Sequence, residues 1–546
     1  MTLLIDVFGY ADVLLRGLVL LAQSLTIGGI AFLIFLVRPL APAIAGSGLN
    51  RDVARLIRCG ALSLGVIEGL RIALLVATLI GTAGIDLPTA LGASVVYASA
   101  AVISAALLIA LSAGGERPDT RLLALLAIVI LAAASAMSHS VARLEDRGLF
   151  APLYFLHQLG AAVWIGGIPY FLIALARTDG TPAALSIGSR FSAMAMASVA
   201  LLIVAGLGLA LAFIGSFAGL YGTAYGAMVG AKIVMLGCVL ALGGANFFLV
   251  RRAYRQPGTP LLRMRRFAEA EVGMGVAIFL AAASLTSTPP AVDLPNDRAT
   301  WQEIVERNIP KWPSFTSPSH NETSIQVLQA KLDAAAGSRS TAPRAYVPGA
   351  GIPPPSNAAD IAWSEFNHHW SGIFVLLAGL LALAERAGIG RWARHWPLVF
   401  IGLAVFLLIR SDPKAWPLGS ISFMESMRDP EALQHRLSIS IVALLGVFEW
   451  AIRTGRIRSA RAALVFPLLC GVGGALLLTH SHSIANIKEE LLIELTHLPI
   501  AVLGLIAGWS RWLELRLAPA DARPFGWIWP SAIAMIGALL LLYREA

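Results

Sequence analysis

The stretch RFSAMAMASVALLIVAGLGLALAFIGSFAGLYGTAYGAMVGAKIVMLGCVLALGGANFFLVRR, residues 190–252, contains two apolar runs, near 191–215 and 225–250. Each run is long enough to cross a bilayer as a helix, which takes about 17 to 25 residues. The connection between them has no basic residue, whereas Arg190, Arg251 and Arg252 stand at the two ends. Basic residues concentrate on the cytoplasmic side of membrane proteins. The stretch therefore predicts two membrane helices that leave the cytoplasm and return to it.

Apolar runs of the same kind recur along the whole chain. Hydrophobic residues make up 57% of the 546 residues and charged residues only 13%, whereas soluble domains are about a quarter charged. We place about 14 spans by run length. They lie near 11–37, 58–83, 88–112, 121–138, 150–176, 191–215, 225–250, 267–287, 366–385, 395–410, 432–452, 462–479, 488–510 and 526–543. The sequence therefore predicts an all-α, polytopic integral membrane helical bundle.

Basic residues occur in alternate connections between these runs. They cluster around 251–266, 386–394 and 453–461, for example, whereas the connections GTAGIDLPT and GSFAGLYGTAYG have none. Because basic loops stay in the cytoplasm, this alternation predicts that both termini are periplasmic. The net charge of +9 is mostly explained by the same topology. We therefore expect membrane lipid around the chain and no nucleic-acid partner.

One long segment does not have the composition of a membrane helix. Residues 289–362 are rich in Pro, Ser, Asn and Ala, which is typical of a linker. A short ordered piece is expected around TWQEIVERNIPKW, residues 300–312. The sequence therefore predicts an eight-helix membrane domain over 1–288, a periplasmic linker over 289–362, and a six-helix membrane domain over 363–546.

Nine of the ten histidines fall on the predicted outer side of the membrane. Helix-start signals place five of them in the first turns of returning helices. These five are His157, His368, His369, His435 and His497. The helix that carries His157 is expected to begin near Pro152, and His368 and His369 are expected in the first turn of a helix near 366–385. The sequence thus predicts one outer layer of imidazoles.

A partial internal repeat indicates a common purpose for some of these histidines. SAMSHSVARLEDRGLFAPLYFLHQLGAAVWIGG and LTHSHSIANIKEELLIELTHLPIAVLGLIAGW each contain Ser-His-Ser, a charged turn, and a helix with a further histidine. His139 and His157 in the first copy correspond to His482 and His497 in the second, and His480 is additional. Glu490, Glu494 and His497 also share one helix face by their spacing. Such a face is expected to point into the bundle, because carboxylates are costly next to lipid.

Imidazoles in this arrangement suit a bound metal ion. Imidazole binds Cu, Zn, Fe and Ni, and thioether ligands favour Cu(I). Met424 and Met427 precede His435 by about a dozen residues, so we count both as candidate copper ligands. A single interfacial histidine is more often an amphipathic anchor, and methionine is common filler. Paired histidines on facing helices could instead ligate haem b, and the polar outer residues could also be docking groups of a scaffold.

A few charged residues lie inside apolar runs. Glu68, Arg71 and Lys232 are in this position. Intramembrane charges normally face the protein interior and pair, and they can mark a conduction or proton path. An internal ion pair that orients helices is the alternative interpretation.

The stretch quoted first, with the following LRRFAEAEVGMGVAIFLAAASLTSTPP, resembles the CopD copper-resistance family of bacterial inner-membrane proteins. The matching residues include Arg190, Lys232, Asn246, Glu271 and the closing Leu285 to Pro290. The upstream FLHQLGAAVWIGG, with His157, also looks like a helix of that family. The resemblance extends over roughly residues 1–290, helices 1 to 8. It adds Glu271 to the candidate pathway residues.

The resemblance implies copper transport from the periplasm toward the cytoplasm, beside a periplasmic CopC-type carrier. It also implies a multi-pass protein of the bacterial inner (plasma) membrane rather than an enzyme. We therefore expect a copper-resistance or copper-transport protein that binds a copper ion at periplasmic-side His and Met residues. The alternatives are a haem b-binding electron-transfer protein and an oxidase copper-assembly factor. For the second half, EALQHRLSI is weakly similar to the His-bearing helix of CtaG-type assembly modules.

Overall fold

The computed structural model describes residues 8–115, 118–138, 147–179, 181–256, 261–337, 357–479 and 487–545. Within these ranges seventeen α-helices have eight or more residues. They are α1 Phe8–Phe32, α2 Leu49–Ala83, α3 Ser94–Ser112, α4 Thr120–Ala136, α5 Arg147–Trp164, α6 Ile168–Arg177, α7 Pro182–Ile214, α8 Ala224–Arg255, α9 Leu262–Leu285, α10 Trp301–Asn308, α11 Ser324–Gly337, α12 Ala358–Arg386, α13 Leu398–Arg410, α14 Pro430–Arg453, α15 Val465–Leu477, α16 Ile487–Arg516 and α17 Phe525–Leu541. Within the described ranges no residue lies in a β-strand.

The helices agree with the predicted membrane spans. Twelve stretches of the described chain are long and apolar enough to cross a membrane. Two further apolar helices are shorter, Thr120–Ala136 and Ala462–Leu477. Each of the fourteen predicted runs coincides with one of these, so the all-α, polytopic membrane architecture is confirmed.

The described chain forms two compact units. The first comprises mainly Ala11–Leu220 and Lys232–Pro295, and the second mainly Tyr221–Ala231 and Asn296–Ala546. In the first unit, α5 packs against α7, and α3 packs against both α2 and α4. In the second, α12 packs against α17, α16 packs against α15 and α17, and α13 packs against α14.

A close helix crossing in the first unit explains the Trp-x-Gly-Gly sequence after α5. A Cβ atom at Gly166 would lie 1.9 Å from the Ser24 carbonyl oxygen, and one at Gly28 would lie 2.3 Å from the Gly166 carbonyl carbon. These distances are far too short for any side chain. Glycine is therefore required where α1 crosses the turn between α5 and α6, as at small-residue crossings of other membrane helices.

Small residues also bring α12 and α17 together in the second unit. A Cβ atom at Gly537 would lie 2.1 Å from the Leu376 amide nitrogen, and one at Gly372 would lie 2.4 Å from the Leu541 amide nitrogen. The two backbones are thus in direct contact. This contact fixes the middle of α12 against the C-terminal half of α17.

The ends of several helices differ from the sequence prediction. α12 begins at Ala358, capped by Asn357 and Asp360, so His368 lies ten residues into the helix and not in its first turn. α5 begins at Arg147 and contains Pro152 in its interior. α14 begins at Pro430 and is capped by Asp429, a pair that is typical of helix starts. The ordered piece expected in the linker is the capped helix α10.

Candidate functional site

Two predicted histidines and one tyrosine form a ring cluster in the second unit. His368 of α12 and His497 of α16 have ring centroids 6.0 Å apart, with ring planes at 89°. Tyr543 follows α17 and stacks on His368 with centroids 3.8 Å apart, and its ring lies 6.0 Å from that of His497. We call His368, His497 and Tyr543 the imidazole–tyrosine cluster.

The cluster has a simple origin in helix geometry. His368 lies ten residues after Ala358, the first residue of α12, which is roughly 15 Å along that helix at about 1.5 Å per residue. His497 lies within α16, Ile487–Arg516. Both helices pack against α17, so the two rings meet at the same level.

Backbone hydrogen bonds set the tautomer of both imidazoles. The Nδ1 atom of His368 lies 2.9 Å from the Ser364 carbonyl oxygen, and that of His497 lies 2.9 Å from the Ile493 carbonyl oxygen. A carbonyl oxygen can only accept, so Nδ1 is the protonated nitrogen in each ring. The lone pair is therefore on Nε2 in both. Metal-binding histidines are commonly oriented by such a bond from their second nitrogen.

Residues after α17 anchor the tyrosine of the cluster. The Tyr543 hydroxyl donates to the Glu545 carboxylate at 3.0 Å, and the Ser364 hydroxyl donates to the same carboxylate. Burial raises the pKa of Tyr543 well above its usual value of 10.0, and the Glu545 charge adds to this effect. The hydroxyl group therefore stays protonated and acts as a donor.

His369 has a different environment from its neighbour. Its Nε2 atom lies 2.9 Å from the Tyr543 carbonyl oxygen, and the Ser314 amide donates to its Nδ1 atom at 3.0 Å. The donor and the lone pair of this buried ring are thus both used by backbone groups. We therefore expect His369 to tie the segment around residue 314 and the end of the chain to α12.

His435 of α14 is paired with a carboxylate. Its Nδ1 atom lies 2.9 Å from Oδ1 of Asp412, which is only 5% exposed. His435 is also close enough to His368 to act on it electrostatically. A carboxylate on Nδ1 is a common way to orient a metal-binding imidazole through its other nitrogen. The sequence did not indicate Asp412, because it lies in a loop 23 residues before its partner.

His157 is the predicted ligand that the structure describes in the first unit. It lies within α5, Arg147–Trp164, and His497, its counterpart in the internal repeat, lies within α16. Its Nδ1 atom lies 3.2 Å from the Leu202 carbonyl oxygen of α7. The ring packs on Gly206, where a Cβ atom would lie 3.1 Å from it. Lys232 is near enough to act on the ring electrostatically.

The structure describes only some of the remaining predicted ligand and pathway residues. His139, His480 and His482 lie outside the described residues, and so does the side chain of Glu490. Glu494 is buried, as expected for a face that points into the bundle, and Met424 is 75% exposed. Met427 is half-buried.

One intramembrane charge pair of the first unit is confirmed. Arg71 donates to both carboxylate oxygens of Glu68, at 3.0 Å and 2.8 Å. The Ser99 hydroxyl donates to the same carboxylate at 2.5 Å, and Asp12 lies 3.6 Å from Arg71. The sequence did not indicate Asp12 or Ser99, because they come from other helices. Within the described chain no ion pair involves Lys232.

The described part of the chain contains no preformed metal centre. No group of three or more His, Cys, Asp or Glu side chains in it is arranged to hold a metal ion. A metal ion at the imidazole–tyrosine cluster would therefore have His368 and His497 as its protein ligands among the described residues.

Part of the chain matches a known protein family. Residues 185–285 match the family of copper resistance protein D, CopD. The CopD match runs from the first turn of α7 to the last residue of α9, so it lies in membrane helices of the chain. This match is narrower than the resemblance over residues 1–290. The sequence analysis therefore extended the resemblance over too many of the predicted spans.

A curated relative also matches part of the chain. Over 159 residues, 29% of this chain, the sequence is 30% identical to the copper transport protein CutJ of Bacillus subtilis (strain 168). The match spans 28% of the length of that relative. No solved structure gives a significant match. The CopD match and this relative relate part of the multi-pass membrane protein to proteins named for copper resistance and copper transport.

Proposed function

We propose that this protein transports copper across the membrane and contributes to copper resistance. The CopD match in α7 to α9 is the observation that carries this proposal. The relative named as a copper transport protein supports it, and so do the apolar membrane helices. By the alternation of basic loops, copper enters from the periplasmic side, where a CopC-type carrier could deliver it.

The proposal places a copper-binding site at the imidazole–tyrosine cluster. Metal–imidazole bonds are about 2 Å long, so an ion bound by two imidazoles holds the ring centroids about 6 Å apart. The centroids of His368 and His497 are 6.0 Å apart, and the lone pair of each ring is on Nε2. Imidazole suits several transition metals, and copper is the choice that the CopD match favours.

The other predicted ligands remain part of the proposal. His435, oriented by Asp412, Met424 and Met427 belong to the same unit as the cluster. His139, His157, His480 and His482 are further predicted ligands, and His369, also in the predicted set, uses both ring nitrogens on backbone groups. Glu68, Arg71, Lys232, Glu271, Glu490 and Glu494 are proposed as orienting or pathway residues.

The experiment compares copper binding by the purified protein and three variants. His368→Ala and His497→Ala each remove one proposed ligand, and we expect either change to weaken copper affinity by at least about tenfold. His395→Ala is the matched control, because it removes an imidazole of the same unit that accepts a hydrogen bond from Trp450. Affinity is measured by competition with a chromogenic chelator.

The outcomes distinguish failure of the proposed binding site from failure of the proposed function. Unchanged affinity in both His368→Ala and His497→Ala would overturn the proposed site, and absence of copper binding by the unmodified protein would overturn the proposed function. An absorbance spectrum of the same sample tests the haem b alternative, which no comparison supports. A Soret band that disappears in His368→Ala would favour haem over copper.

A further inference from the structure

A cavity of about 440 Å³ lies between helices of the first unit. Its wall is mostly apolar and includes the aromatic side chains of Trp164 at the end of α5, Phe171 of α6 and Phe191 of α7. Pockets for small organic ligands have volumes of about 300 to 1,000 Å³ and mostly apolar walls with a few polar groups. This cavity therefore has the size of an organic ligand and is much larger than a single metal ion.

The polar side chains that line the cavity are a carboxylate, an amide and the hydroxyl group of Ser192. Glu271 of α9 and Asn246 of α8 both line it, and they are 3% and 8% exposed. The Asn246 Nδ2 atom donates to Glu271 Oε1 at 2.6 Å. An ionised carboxylate only accepts hydrogen bonds, so the amide nitrogen faces it and the amide oxygen points away from it.

These two side chains have unmet interactions in the part of the chain that the structure describes. Oδ1 of Asn246 is buried and has no hydrogen-bond partner there. Glu271 forms no ion pair with any described Lys, Arg or His. A buried acceptor without a donor and a buried carboxylate without a cation both cost free energy. A ligand that has a positive charge and an N–H donor would satisfy both groups.

The wall of the cavity favours a cation that is attached to an apolar body. Aromatic rings attract cations placed over their faces, and Trp164, Phe171 and Phe191 supply such rings. Met196 and Ile203, which also line the cavity, are 52% and 45% exposed. Both belong to the membrane span Pro182–Ile214, so the cavity can be reached from the hydrocarbon region.

We propose that this cavity binds a lipophilic organic ammonium ion, with its N–H groups on Glu271 and Asn246 and its apolar body between the aromatic side chains. This site shares no residue with the imidazole–tyrosine cluster, and it gives Glu271, a proposed pathway residue, a ligand beyond the proposed function. It requires no copper.

The test measures binding of 4-phenylbutylammonium to the full-length protein in lipid nanodiscs, by isothermal titration calorimetry. The neutral alcohol 4-phenylbutan-1-ol has the same apolar body without the charge. We expect the ammonium ion to bind at least about tenfold more tightly than the alcohol, since the carboxylate compensates the charge in an apolar site. Equal affinities would overturn the proposal.

Two variants test whether Glu271 binds the ammonium ion. Glu271→Gln keeps the size of the side chain and removes its charge, and we expect it to abolish the preference for the ammonium ion. Glu269→Gln is the matched control, because Glu269 is on the same helix and pairs with Arg266. Thermal unfolding of both variants confirms that they are folded. Retention of the preference in folded Glu271→Gln would overturn the proposal, and so would stoichiometric displacement of the probe by Cu(I), which would assign the cavity to the copper path.

Discussion

Asp412 shows how strongly one buried carboxyl group depends on its neighbours. It is 5% exposed, and burial alone would raise its pKa above the ordinary value of 3.8. The charge of His435 and its hydrogen bond have the opposite effect, helped by Ser411 and Lys414, and lower the pKa of Asp412 to about 2. The ionised form is therefore favoured in the folded protein.

This depressed pKa predicts a loss of stability in acid. The contribution is complete above the unfolded pKa of 3.8 and is lost as the pH falls toward the folded pKa of about 2. Its size is about 2 kcal/mol, since one pKa unit corresponds to about 1.4 kcal/mol. Thermal unfolding between pH 6 and pH 2.5 should show a steeper fall for the unmodified protein than for Asp412→Asn.

The control for this prediction is Asp297→Asn. Asp297 is an exposed carboxylate of the same unit, and its removal should leave the acid dependence of the melting temperature unchanged. Parallel curves for the unmodified protein and Asp412→Asn would contradict the role of the Asp412–His435 pair.

For single residues, the sequence could predict neighbours that are related by local spacing along one helix. Glu494 and His497 share a helix face, and Glu494 is buried as expected. Asp412, Ser99 and Tyr543 could not be predicted as partners, because each contacts its partner through tertiary packing. Their polar atoms come together only when separate helices have packed.

The fold requires the close contact between helices α12 and α17. A Cβ atom at Gly537 would lie 2.1 Å from a backbone nitrogen of α12, so Gly537→Ala must push the helices apart. Overpacking of this kind costs about 1 to 3 kcal/mol. We expect a clearly lower melting temperature for Gly537→Ala in detergent.

The matched control is Gly473→Ala in α15. A Cβ atom there would lie 3.8 Å from Ile441 Cγ2, which is an ordinary contact, so the melting temperature should hardly change. Equal effects of the two substitutions would show that the α12–α17 contact is looser than its distances indicate.

The elements themselves were largely predictable, and their ends were not. Apolar runs located every membrane helix, because crossing the bilayer requires a continuous apolar surface. The start of α12 was placed eight residues too late, since its first turns are polar and extend beyond that run. The Asn357 capping box is the signal that could have corrected it. This error placed His368 in the first turn, when it lies at the depth of His497.

The arrangement of the whole chain in the membrane leads to a prediction about its orientation. The distribution of basic residues places Lys311 outside the cytoplasm and Ala460 inside it. Both residues are exposed. After replacement of Cys59, Cys238 and Cys470, a cysteine introduced by Lys311→Cys should react with a membrane-impermeant maleimide in intact spheroplasts, and one introduced by Ala460→Cys should react only after lysis.

The two cysteine variants serve as controls for each other. Both should react fully in detergent, which shows that each thiol is accessible once the membrane is removed. The opposite pattern in spheroplasts would invert the topology and place the imidazole–tyrosine cluster near the cytoplasmic side.

The hydrogen bond between His369 and the Tyr543 carbonyl oxygen joins positions 174 residues apart. During synthesis the ribosome must therefore add α13 to α17 after α12 before Tyr543 can stack on His368. A nascent chain that has released only its first half into the membrane cannot yet assemble this binding surface. At the proposed copper site, metal loading would thus have to follow insertion of the whole chain, and a chain arrested before α17 would leave His368 without its aromatic neighbour.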